Sequence, residues 1–72
     1  MPHVTIRMIE GRGEALKQKL AEEIQKTIRD TLDLEDKYIS VSIEDYASAD
    51  WGAVHQAEIV DKPEMLYIPP KY

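Results

Sequence analysis

Residues 14–32, EALKQKLAEEIQKTIRDTL, decide how the rest of the chain is arranged. Leu16, Leu20, Ile24, Ile28 and Leu32 recur at every fourth position with Ala21 beside them, and Lys, Glu and Gln fill most of the remainder, which is the pattern of an amphipathic helix. Two glycines within Glu10-Gly11-Arg12-Gly13 mark a tight turn ahead of it. On either side the periodicity changes to two. From Pro2 to Ile9, Val4, Ile6 and Met8 share one face with Thr5 and Arg7 on the other; from Tyr38 to Asp45, Ile39, Val41 and Ile43 oppose Ser40, Ser42 and Glu44. A helix of about 19 residues rising 1.5 Å each spans roughly 28 Å, about the length of an eight-residue strand. It therefore returns the chain to the level where the first strand began, and the two strands should run parallel. The expected class is α/β: a single right-handed β-α-β unit with parallel strands, its helix covering one sheet face, plus a short C-terminal segment.

That C-terminal segment is less regular. Trp51 to Val60 has a weak helical pattern, Asp61-Lys62-Pro63-Glu64 suits a short helical turn, and Pro69-Pro70 excludes regular structure near the end. With no repeat or linker, residues 1–72 read as one domain.

A chain of 72 residues leaves much of its surface exposed and is marginal alone. It contains no Cys, which suits a reducing compartment, and its two histidines, His3 and His55, are too few for a structural zinc site. One helix and two strands leave a sheet face and both strand edges uncovered, so self-association is the remaining source of stability, commonly with two-fold symmetry. Fourteen acidic and nine basic residues give a net charge of −5, which argues against a nucleic-acid partner. Lys17, Lys19 and Lys26 are interleaved with Glu14, Glu22 and Glu23, the pattern of a solvated helix face. No apolar run approaches a membrane span, no basic leader with an apolar core opens the chain, and the expected location is cytoplasmic.

Pro2 sits directly behind Met1, with Glu10-Gly11-Arg12 closing the first strand, Leu32-Asp33 ending the helix, Val41 in the second strand and Trp51-Gly52 a few residues after it. Together, over Pro2 to Gly52 without a gap, these residues resemble the 4-oxalocrotonate tautomerase family. The C-terminal segment looks more like the small dimeric bacterial tautomerases than the shorter hexameric members. The resemblance implies a cofactor-independent isomerase without a metal, acting on a small 2-oxo acid or its enol.

It also implies roles residue by residue. Once Met1 is removed, Pro2 carries a secondary amine that takes and returns a proton; apolar walls and a nearby cation disfavour its charged form and tune it toward neutral pH. Arg12 offers a planar fork of donors that matches a carboxylate. Trp51 provides an apolar wall. Ser40 departs from the pattern, because hexameric members carry a second arginine there. A hydroxyl still hydrogen-bonds but carries no charge, so a monocarboxylate such as an aryl enolpyruvate suits the site better than a dicarboxylate. The same departure weakens a dehalogenase or hydratase reading, for which Glu44 and Asp45 are candidates only by proximity. His3 is expected on the sheet face opposite Pro2, Arg7 in a surface ion pair with a neighbouring acid, and both His3 and His55 are weak site candidates. The competing reading is a non-catalytic oligomeric module of the same fold, which applies if Met1 is retained and Pro2 nitrogen stays an amide.

Overall fold

The computed structural model describes residues 1–72. Strand β1 (His3–Ile9) leads through a turn into helix α1 (Glu14–Leu32), and strand β2 (Ser40–Tyr46) follows it. The strands pair parallel with Val4 opposite Val41 and Ile6 opposite Ile43, so the expected β-α-β unit is present. Val41 and Ile43 lie against Gln18 and Ala21 of α1 along a groove beside β2.

Both strands start later than their alternation suggests. Pro2 has no N–H to give a ladder, and β1 begins at His3. Tyr38 and Ile39 alternate correctly with the residues after them, yet Asp36–Tyr38 close a 3-10 turn in which Tyr38 N–H donates to Glu35 (3.1 Å) and Ile39 N–H to Asp36 (3.0 Å). Local hydrogen bonding thus claims two residues from the strand. Ile39 caps that turn and is one of only two buried residues, the other being Val54.

The turns at the ends of α1 need unusual backbone. Gly11 adopts φ 134°, a conformation open to glycine and strained for other residues. Asp33 ends the helix in the left-handed region (φ 56°, ψ 57°), and both its N–H and that of Leu34 donate to the Arg29 carbonyl. Of the every-fourth row on α1, Leu20, Ile24 and Ile28 are half-covered, whereas Leu16 and Leu32 are each 57% exposed. Strands of seven residues span about 23 Å against roughly 28 Å for the helix, so its two end leucines overhang the sheet.

Lys17 is not on a solvated face. Its ammonium donates to Asp45 Oδ2 at 2.7 Å and lies 2.9 Å from Glu14 Oε1, tying α1 to β2, and the bonds to Asp45 and then Glu14 raise its pKa. Asp45, a site candidate only by its place in the sequence, is its partner.

After β2 the chain makes a 3-10 turn (Ser48–Asp50), helix α2 (Trp51–His55) and a wider π-helical turn (Gln56–Val60) continuous with it. A further 3-10 turn at Pro63–Met65 follows, and residues 69–72 are irregular, as Pro69-Pro70 require. This segment is anchored by buried Val54 and by charge: Glu58 accepts from Lys62 at 2.8 Å and faces Arg7 at 3.6 Å, while Arg7 pairs with Glu44 at 3.3 Å. No helix is long and apolar enough to cross a membrane.

Candidate active site

Pro2 is half-buried at the head of β1, where its carbonyl accepts from Ser40 N–H at 3.3 Å. That bond fixes the residue at the entry to the sheet, although Met1, still joined to it, is 97% exposed. On the first rung of the ladder His3 faces Ser40, and His3 Nδ1 lies 2.7 Å from Ser40 Oγ. Its Nε2 lies 3.3 Å from Ser42 Oγ, which in turn donates to Thr5 Oγ1 at 3.3 Å. Pro2, His3 and Ser40 are therefore neighbours at the N-terminal end of the strands. Of these, the contact of His3 with both serines was not foreseen, because alternation places each residue on a face without fixing which rung it occupies.

Arg12 lies at the other end. It is exposed, and its Nη1 donates to the Ile9 carbonyl at 3.0 Å and sits 4.0 Å from Met8 Sδ. From Pro2 to Ile9 an extended strand covers about 23 Å, so within one chain the guanidinium and the proline are held apart. Trp51, half-buried, opens α2 one turn beyond the C-terminal end of β2. Parallel pairing places that end beside Ile9, so Trp51 belongs with Arg12 and not with Pro2.

The remaining candidates are occupied elsewhere. Glu44 accepts from Tyr46 Oη at 2.6 Å and pairs with Arg7 at 3.3 Å, and its bond is the main cause of the raised Tyr46 pKa. Arg7 thus makes the ion pair expected of it. The His55 ring lies 5.8 Å from that of Tyr72, tilted by 37°. Lys62 holds Glu58 below the ordinary carboxylate range, with the charge of Arg7 acting in the same direction.

A parallel β-α-β chain with a proline at the strand head and an arginine in the first turn defines a class of small α/β proteins built on one sheet layer. A family model described as "Tautomerase enzyme" matches residues 2–57. A probable tautomerase of Xylella fastidiosa (strain 9a5c) is 37% identical over 73 aligned residues, covering 100% of this chain and 89% of that protein. A 2-hydroxymuconate tautomerase of Bacillus subtilis (strain 168) is 36% identical over 45 residues, which is 62% of this chain and 73% of that one. Among solved structures, YwhB, a homologue of 4-oxalocrotonate tautomerase, superposes with a TM-score of 0.62 at 33% identity over 64% of this chain and 75% of its own. A 4-oxalocrotonate tautomerase isozyme from Methylibium petroleiphilum gives 0.68 at 27% identity over 71% and 82%. The chain belongs to the 4-oxalocrotonate tautomerase family, and its function is of the tautomerase type.

Proposed function

We propose that the chain, once Met1 is removed, is a cofactor-independent keto–enol tautomerase of a small monocarboxylate 2-oxo acid or its enol, such as an aryl enolpyruvate. Pro2 is the general acid and base, Arg12 binds the carboxylate, Ser40 belongs to the substrate-binding end and Trp51 walls the site. The observation that carries this reading is the placement of Pro2, half-buried and pinned through its carbonyl at the strand head, with an almost fully exposed Met1 joined to its nitrogen.

While Met1 is attached, Pro2 nitrogen is a tertiary amide without a basic lone pair; after removal it is a secondary amine suited to proton transfer. Because Arg12 and Trp51 lie at the far end of β1, the complete site takes Pro2 from one protomer and Arg12 from its partner. The assembly is a homodimer in this reading, with a hexamer as the alternative. The cytoplasm, reducing and supplied with aminopeptidase, suits both the absence of Cys and the processing.

The test is intact mass followed by kinetics. Protein verified to begin at Pro2 is expected to ketonise an aryl enolpyruvate, and Pro2→Ala, which keeps an amine but changes its pKa and geometry, to lower the rate about tenfold or more. Equal rates for the two processed proteins would remove Pro2 from the mechanism. Processed protein without activity would favour the non-catalytic module.

A further inference from the structure

Ser40 is not free to meet a substrate directly, because its hydroxyl is 2.7 Å from His3 Nδ1. The group presented at the strand head is the imidazole. His3 is exposed and follows Pro2 in the chain. Its ring lies, as alternation predicts, on the sheet face of Thr5, Ser40 and Ser42 opposite the Pro2 ring, so a substrate at the Pro2 nitrogen meets it only around the strand head. Its two ring nitrogens are held unequally: Nδ1 makes the short bond to Ser40, whereas Nε2 is 3.3 Å from Ser42 Oγ. Ser42 also bonds Thr5 and keeps that partner if Nε2 turns to another oxygen.

Ser42 gives its single proton to Thr5, so it meets Nε2 as an acceptor, with the ring hydrogen on Nε2 and Nδ1 accepting from Ser40, and neither hydroxyl competes with an incoming anion as a carboxylate would. The nearest carboxylate on this sheet face, Glu44, is engaged by Arg7 and Tyr46.

We infer that His3, oriented by Ser40, is a specificity-determining residue that hydrogen-bonds the C2 oxygen of the 2-oxo acid or enol through Nε2, displacing Ser42. The inference rests on the reading of Pro2 as the acid and base, since it places the substrate oxygen beside that amine. Ser40 then becomes a positioning residue, acting through the imidazole. A single imidazole N–H in this place suits one carbonyl or enol oxygen better than a second carboxylate, whose two oxygens call for a two-pronged donor.

Two amides separate the ring nitrogens: Gln places its amide nitrogen near Nε2, whereas Asn places it near Nδ1 only. In processed protein, His3→Leu and His3→Asn are expected to lower kcat/KM for an aryl enolpyruvate about tenfold, and His3→Gln to recover most of the loss. Ser40→Ala should cost a smaller factor, with the acidic limb of the pH–rate profile unmoved. A readout independent of turnover is nitrogen NMR of the His3 ring titrated with phenylglyoxylate, which has a 2-oxo group but no carbon-bound hydrogen to exchange. Nε2 should shift more than Nδ1.

Parental rates in all three His3 variants, with Pro2→Ala still impaired, would overturn the role of His3 and leave Pro2 intact. An Nε2 signal unmoved at saturating phenylglyoxylate would likewise overturn it. A shifted Nε2 in a protein that lacks activity would support the contact and overturn the catalytic reading alone.

Discussion

Arg12 shows how one residue is read differently from sequence and from structure. Its place after Glu10-Gly11 marks it as a carboxylate ligand, but in the isolated chain its fork is turned back on the Ile9 carbonyl and Met8 sulfur. Neither contact is an ion pair, so the guanidinium gives up only a neutral acceptor when an anion arrives. Arg12→Ala should therefore raise KM for carboxylate substrates by a factor equivalent to about 1.5–3 kcal/mol with little change in kcat, while a neutral ester of the same substrate is much less affected. Steady-state kinetics on the acid and ester decide it. An equal loss for both would make Arg12 a support for the turn. His3 is the converse case: its residue type was visible, but its two serine partners depend on a register that no count of apolar positions supplies.

Among the elements, α1 was the most legible, because its leucines and isoleucines at a spacing of four follow one side of a helix, whereas on a strand Gln18, Glu22, Lys26 and Asp30 would share their face. Its C-terminus falls at Leu32, the last residue of the every-fourth row. Asp33 sits at φ 56° and carries a negative charge at the negative end of the helix dipole. Asp33→Gly should relieve both and stabilise the chain by about 0.5–1 kcal/mol, measured as a higher urea midpoint at unchanged m. The start of β2 was less legible, since hydrogen bonds of the Asp36–Tyr38 turn win over an alternation that continues through Tyr38. The C-terminal helical segment had weak periodicity because Val54 is its only fully buried residue, and the charge pairs of Glu58 with Arg7 and Lys62 supplement that single apolar anchor. Glu58 has a pKa lowered in the folded chain, so its contribution is present above its ordinary value of 4.5 and lost as the pH falls from there through the lowered value. Fluorescence of Trp51, the single tryptophan, should report loosening of this segment in that acid window. In Glu58→Gln the window should vanish, and the segment should already be loosened at neutral pH.

At the scale of the whole molecule, one copy is an incomplete object. Its accessible surface is 5685 Å², where a folded monomer of 8.3 kDa is expected to expose roughly 4,600 Å². Much of the excess is apolar, including Tyr67 and Ile68, which are 98% and 90% exposed, and the overhanging Leu16 and Leu32. If Pro2 and Arg12 share a site, their separation along β1 makes the same demand in chemical terms, and a mixing experiment tests it. If each site joins Pro2 of one protomer to Arg12 of another, then Pro2→Ala and Arg12→Ala proteins, each impaired alone, should complement after subunit exchange. With equal amounts and random reassortment, a given site receives an intact Pro2 in half of cases and an intact Arg12 in half, so about a quarter of the parental activity returns. The fraction is the same for a dimer and for a hexamer, because it counts sites and not assemblies. The assay belongs at substrate levels below the parental KM, where loss of Arg12 is fully expressed, and intact-assembly mass must first show mixed species. Exchange without recovery would place both residues of each site in one chain, which the length of β1 opposes, or would mean that Arg12 has no part in binding.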